Sequence, residues 1–207
     1  AFEQGLFAGS DPDTASLVRR MTLDEKISLV HGSADPRELG GAGYWPGVAR
    51  LGIPPLRFAD GPPGVNVNRA STAMPAPVGL AATFDREAAR LYGVVLGKEA
   101  KALEQDVLLA PHIDIVRDPL YRRNHTTLGE DPLLNARLGA AEIEGIQSQG
   151  TMAQVKHFGA YNGSDDVIID ERTLREIYLP MFESAVASGA ASIMCAYSKV
   201  NGAWSCE

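Results

Sequence analysis

Met152-Ala153-Gln154-Val155-Lys156-His157-Phe158, followed by a Gly/Asn/Ser/Asp-rich stretch over 159–166, decides how this chain is read. The apolar start has the length and composition of a buried strand, and the polar stretch that follows is a loop. A lysine and a histidine side by side where a buried strand runs out are poor packing material. In a barrel of parallel strands, that end is where active sites are built.

The flanking sequence alternates in type. Thr22 and Glu25 have capping-box spacing ahead of Lys26-Ile27-Ser28-Leu29-Val30, which predicts an early helix ending near Gly32. A Gly/Pro-rich stretch over 32–55 contains Tyr44 and Trp45, and Leu56-Arg57-Phe58-Ala59 then reads as a short strand leading into Asp60-Gly61-Pro62. Apolar spacing predicts helices over about 85–105, 132–147 and 170–188, and strands over 107–110 and 191–197. Strands that alternate with helices argue for a parallel α/β architecture. Because no Gly-x-Gly-x-x-Gly and no Gly-Lys-Ser/Thr phosphate loop is present, a barrel is favoured over a doubly wound nucleotide fold.

Composition narrows the function classes. The 207 residues are 45% hydrophobic with a net charge of −7, enough for a substantial core. Basic residues are scattered, which argues against nucleic acid or an anionic membrane as partner. No apolar run reaches the ~18–20 residues a spanning helix needs. The chain starts at Ala1 without a methionine, which fits a mature or trimmed product, and an extracellular location is favoured over a cytoplasmic one. Cys195 and Cys206 allow one bridge and leave the redox compartment undecided. His31, His112 and His125 lack metal-ligand spacing and read as structural, so neither metal nor cofactor is expected.

Four strand ends carry polar groups: Asp60, the stretch from Arg117 to Arg123, Lys156-His157, and Tyr197. Facing one mouth, they combine a carboxylate, guanidinium groups, an ammonium, an imidazole and a phenol. Neutral hydroxyls suit such a set because each both donates and accepts, and charge-assisted bonds to them are the stronger kind. A phosphate would suit the cations but not Asp60. The residues therefore lean toward a sugar. Arg117 beside Asp118 reads as a structural ion pair, and Tyr44, Trp45 and Trp204 as core or interface residues rather than sugar-stacking platforms.

An ordered series of motifs sharpens this. It comprises Met21-Thr22-Leu23-Asp24-Glu25-Lys26, Leu51-Gly52-Ile53-Pro54, and Ala59-Asp60-Gly61-Pro62-Pro63-Gly64-Val65. Next come Arg117-Asp118-Pro119, Arg123-Asn124, Gly129-Glu130-Asp131-Pro132 and Lys156-His157-Phe158. Glu171-Arg172-Thr173-Leu174-Arg175-Glu176-Ile177-Tyr178-Leu179-Pro180 and Met194-Cys195-Ala196-Tyr197-Ser198-Lys199-Val200-Asn201-Gly202 close the series. In order and spacing the chain resembles glycoside hydrolase family 3, in its β-glucosidase branch.

The resemblance implies a (β/α)8 barrel joined to a second α/β domain, and retaining hydrolysis of β-linked sugars from non-reducing ends. Residues 1–207 would form roughly the first two-thirds of the barrel domain. It also implies that Asp60 binds the outer hydroxyls of the terminal sugar and that Arg123, Lys156 and His157 bind the remaining ones. Met194 and Tyr197 would line the pocket, with Tyr197 close to the nucleophile. Retention requires two carboxyl groups about 5–5.5 Å apart. The family's nucleophilic Asp and its acid/base Glu fall beyond Glu207, so no catalytic residue is nominated here. The expected partners are a β-glucoside or oligosaccharide and the remainder of the same enzyme, and the isolated piece is expected to be inactive.

The chain departs from the family in places. Tyr121-Arg122-Arg123 stands where Trp-Gly-Arg is usual, and Thr126 where many members carry a Glu. The loop after Phe158 is several residues short and lacks the Arg that normally touches the sugar. The branch that uses a Gly-His-Gly signature is ruled out, because no histidine follows His157. A β-xylosidase/arabinosidase of the same family is the enzymatic alternative. A non-catalytic sugar-binding fragment and a phosphate-handling barrel are the others.

Overall fold

The computed structural model describes residues 14–163 and 165–207. Helices α1 (Thr14–Arg20) and α2 (Leu23–Leu29) open the described chain. The capping box is present at α2: Thr22 Oγ1 accepts from the Glu25 amide, and the Glu25 carboxylate accepts from the Thr22 amide. Strands β1 (Gly43–Trp45), β2 (Leu56–Asp60), β3 (Val107–Leu109) and β4 (Met152–Phe158) follow, with helices α3 (Pro77–Ala81), α4 (Arg86–Ala102) and α5 (Pro132–Gln147) between them. After β5 (Asp166–Val167) come α6 (Glu171–Thr173), α7 (Leu179–Ala187), β6 (Ser192–Cys195), β7 (Lys199–Val200) and β8 (Ala203–Trp204).

Strands β2, β3, β4 and β6 are parallel and lie side by side in chain order, as consecutive β-α-β units do. The α/β expectation holds. The four strands form a curled half-barrel, in keeping with the incomplete barrel expected. Nor is the sheet purely parallel. β1 pairs antiparallel with β2, from Gly43 opposite Phe58 to Trp45 opposite Leu56. Three residues in a Gly/Pro-rich stretch are too few to show a strand period, which is why the sequence reads them as loop. β5, β7 and β8 make a separate small sheet.

The helices cover one face of the sheet. Ala59, Leu108, Ala153 and Val155 point from the strands into a core shared with Leu96, Leu138, Ile143, Ile146, Met181 and Phe182. α4 and α5 approach very closely. A Cβ on Gly93 would lie 2.3 Å from the Glu142 carbonyl oxygen, and one on Gly145 would lie 2.1 Å from that of Arg90. Asp85 and Asp131 cap these two helices by accepting backbone amides, and Pro132 takes the first turn of α5, where no donor is needed. The single helix expected over 170–188 is instead interrupted by a π segment at Leu174–Tyr178. Pro180 has no amide hydrogen for an i→i−4 bond, so regular α geometry loses a bond at this point. Among the described residues no helix is long and apolar enough to cross a membrane.

Candidate functional site

Along β4 the side chains alternate. Ala153 and Val155 enter the core, while Gln154 and Lys156 face a cavity of about 470 Å³ on the other side of the sheet. At its end the alternation breaks. The pairing register with β6 shifts between Lys156 and Phe158, the Lys156–His157 peptide is cis, and His157 lines the same cavity as Lys156. Phe58 and Asp60 from β2, Leu109 from β3 and Met194 from β6 complete the strand contribution, and Arg123 and Tyr197 come from the loops. All six residues picked out in the sequence therefore meet in one cavity: Asp60, Arg123, Lys156, His157, Met194 and Tyr197. Its size falls in the range of small-molecule sites. Tyr197 is 67% exposed and also borders a neighbouring cavity of about 510 Å³ lined by Tyr121, Arg122 and Tyr161.

The electrostatics follow from burial. Lys156 is 1% exposed, and its Nζ lies 2.5 Å from Asp60 Oδ1. Burial lowers the Lys156 pKa, and the Asp60 carboxylate works against that shift. The Arg123 guanidinium lies 5.5 Å from the centre of the Tyr161 ring and, among the described residues, has no carboxylate partner. Its donors are thus free for a ligand. Its charge also helps to lower the pKa values of His112, Lys156 and His157, for each of which burial is the largest cause.

One cluster was not found in the sequence. His157 Nδ1 lies 2.7 Å from Asp114 Oδ2, and the His157 amide donates to Asp114 Oδ1 at 3.2 Å. His112 Nε2 reaches the same Oδ2 at 2.5 Å, and its Nδ1 is 2.8 Å from Thr126 Oγ1. His112, Asp114 and His157 are all buried. His112 has its pKa pushed down to about 4 by burial, which outweighs the Asp114 carboxylate. Asp114 is held below the ordinary carboxylate value: burial pushes it up, but the two histidines together win. Asp114 sits between Ile113 and Ile115, both buried, and a charge inside so apolar a segment was the available signal. These three residues form the one cluster among the described residues with the makeup of a metal site. Ligands around a tetrahedral zinc stand about 3.3 Å from one another, given bonds of ~2.0–2.2 Å. Separations of 2.5 and 2.7 Å are those of hydrogen bonds instead.

Other expectations fare differently. Among the described residues Arg117 makes no ion pair with Asp118. Its guanidinium sits 5.8 Å from the centre of the buried Tyr178 ring, while Asp118 accepts the Leu120 amide in a turn. Tyr44 packs under Arg57, the Trp45 indole donates to the Leu29 carbonyl, and Trp204 lies beside Lys199, so none lines the cavity. Cys195 and Cys206 are bonded, closing the segment that carries Tyr197.

Comparison with known proteins places the fold in a family. Residues 47–206 match the N-terminal domain of glycosyl hydrolase family 3. The chain belongs to that family. It is 39% identical to thermostable β-glucosidase B of Acetivibrio thermocellus, over 94% of this chain and 27% of that protein. With a β-glucosidase of Rhizobium radiobacter the identity is 41%, over 92% and 24%. Among solved structures, DesR, a β-glucosidase from Streptomyces venezuelae in complex with D-glucose, superposes with a TM-score of 0.89 at 48% identity, covering 95% of this chain and 26% of that one. β-Glucosidase 3B from Thermotoga neapolitana in complex with α-D-glucose gives 0.88 at 37% identity, covering 94% and 30%. The chain thus spans about a quarter of the length of these family 3 relatives.

Proposed function

We propose that this chain supplies the sugar-binding part of the active site of a retaining, exo-acting β-glucosidase. In this reading it is the N-terminal part of a family 3 (β/α)8 barrel, and the rest of the polypeptide provides the nucleophilic Asp and the acid/base Glu. The observation that carries the reading is the convergence of Asp60, Arg123, Lys156, His157, Met194 and Tyr197 on one cavity at the ends of parallel strands. Relatives named as β-glucosidases, one holding D-glucose, support the choice of sugar.

The division of labour follows from donor and acceptor chemistry. Lys156 and Arg123 only donate, the half-exposed Asp60 carboxylate only accepts, and a ring hydroxyl does both. A glucosyl ring bridging these groups would satisfy the buried ammonium and the carboxylate at once. Met194 supplies apolar surface for a ring face, and Tyr197 stands toward the bond to be broken. Hydroxyl contacts that tighten as the ring moves toward the oxocarbenium-like transition state lower the barrier, which is where such binding raises turnover.

The test is hydrolysis by the complete enzyme of aryl β-D-glucoside, β-D-xyloside and α-L-arabinofuranoside. Preference for the glucoside supports the reading, and preference for a pentoside selects the xylosidase/arabinosidase alternative. Sugar binding with no hydrolysis selects the binding fragment. The isolated 22.1 kDa piece is expected to hydrolyse none of them.

A further inference from the structure

The Asp114 cluster carries an inference beyond this reading, and one that rests on it. An ionised carboxylate has no hydrogen to give, so both imidazole nitrogens that touch Asp114 Oδ2 must be the ones bearing hydrogen. For His157 this fixes the proton on Nδ1 and leaves Nε2 as an acceptor, with no protein partner among the described residues. For His112 it fixes the proton on Nε2 and leaves Nδ1 facing the Thr126 hydroxyl, whose single hydrogen lies within reach of both Nδ1 and the Arg123 carbonyl oxygen. The His157 ring is held from its sides as well. Tyr161 lies 4.6 Å away between ring centres, and His112 meets it edge-on at 4.9 Å.

We propose that Asp114 is a positioning residue for the sugar site: it holds His157 in the Nδ1–H form, so that Nε2 meets the sugar as a hydrogen-bond acceptor, and His112 braces the same carboxylate from the far side. Among its charged and imidazole groups the cavity then offers two donors, Lys156 and Arg123, and two acceptors, Asp60 and His157, while the Gln154 amide and the Tyr197 hydroxyl can each donate or accept. This matters because a sugar hydroxyl placed between Lys156 and His157 can accept from one and donate to the other. If His157 carried its proton on Nε2, those four groups would be three donors against one acceptor. The hydroxyl hydrogen directed at His157 would then lose its acceptor, at the cost of an unsatisfied polar group.

Asp114→Asn is the decisive change, because an amide cannot accept from both imidazoles with one atom and from the His157 amide with the other. Either the Asn nitrogen faces His157, forcing the proton to Nε2, or it faces the His157 backbone donor. An aspartate that orients a histidine tautomer in this way has precedent in the serine protease triad.

The experiment uses the complete enzyme with an aryl β-glucoside and its 2-, 3-, 4- and 6-deoxy analogues, and compares kcat/KM for wild type, Asp114→Asn and His157→Gln. The expected loss on the parent glucoside is roughly 5- to 100-fold for Asp114→Asn, the range for one unsatisfied hydrogen bond. On one deoxy analogue, the same one for both variants, that loss should largely disappear. A loss of equal size on every substrate, or no loss, overturns the proposal. Should Asp114→Asn fail to fold, His112→Gln, which removes the far brace, is expected to give a smaller loss on the parent glucoside. That loss should vanish on the same analogue as for His157→Gln, and a uniform loss overturns the proposal here too. The two readings fail separately. If Lys156→Met and His157→Gln leave kcat/KM intact, the site itself is misplaced. If they impair it while Asp114→Asn does not, only the positioning role falls.

Discussion

Lys156 Nζ reaches Asp60 Oδ1 at 2.5 Å across a strand, since β3 lies between the β2 strand that carries Asp60 and the β4 strand that carries Lys156. The pair is unequal: the lysine side chain is 2% exposed and the aspartate 49%. Removing either partner therefore has different consequences. Asp60→Asn strands a buried ammonium, whereas Lys156→Met leaves a carboxylate that water can solvate.

Asp60→Asn is accordingly expected to destabilise the fold more than Lys156→Met, by about 1.5–3 kcal/mol, the range for a hydrogen bond to a charged group. The 3–5 kcal/mol typical of breaking a fully buried pair is too large here, because water screens Asp60. Urea unfolding of both variants checks the order. In the complete enzyme both should also lower kcat/KM for a β-glucoside. A variant with unchanged kcat/KM would remove that residue from the sugar site.

Cys195 ends β6 one residue after Met194, and its bond to Cys206, 11 positions along the chain, closes a loop around Tyr197. Closing a loop of this length stabilises by about 3 kcal/mol if the effect lies in the entropy of the unfolded chain. Cys195→Ser with Cys206→Ser should lower the urea midpoint accordingly. In the complete enzyme the double variant should raise KM for a β-glucoside more than it lowers kcat, because Tyr197 loses its tether. An unchanged KM would show that the tether does not position Tyr197.

Local signals made most of the fold legible in the sequence. Apolar spacing marked α5 over 132–147, and Thr22 with Glu25 marked α2. Asp60, Lys156, His157 and Tyr197 were legible because each stands where an apolar run gives way to a loop, and the family resemblance singled out Arg123 and Met194 beside them. Asp114 was not legible in the same way. Its meaning comes from His157, 43 positions along the chain, and from a register shift that no periodicity encodes. β1 was missed because pairing with β2, rather than its own composition, makes it a strand. Arg117 was assigned to its neighbour Asp118, when its partner is the ring of Tyr178.

The α4–α5 contact gives a prediction with a built-in control. Gly93→Ala would drive a methyl group to 2.3 Å from the Glu142 carbonyl oxygen, a backbone atom that no rotamer change can move. Overpacking of this kind costs about 1–3 kcal/mol. Gly79 in α3 has no atom within 4 Å of its would-be Cβ, so Gly79→Ala is expected to stabilise by about 0.4–1 kcal/mol. Thermal melts of the two variants should move in opposite directions. Equal shifts would mean that helix propensity, not the close approach, governs the position.

Glu142 lies in that same interface, buried, with Oε1 lacking a hydrogen-bond partner among the described residues, and burial pushes its carboxyl pKa up to about 8. Its charge acts on Tyr92, whose pKa is raised chiefly by burial and also by Glu142, and whose hydroxyl is bonded to the Pro62 and Pro75 carbonyls. The folded protein then binds a proton at Glu142 that the unfolded chain, with an ordinary value of 4.5, gives up. Stability from this group is fully present below the unfolded value and is lost as pH rises through the folded one. Within that window the slope approaches about 1.4 kcal/mol per pH unit. Glu142→Gln keeps the shape and cannot ionise. Urea midpoints for wild type should therefore fall between pH 5 and pH 8 relative to the variant. Parallel curves would mean that Glu142 stays charged in the fold, held by a partner that the packing of α4 on α5 does not provide.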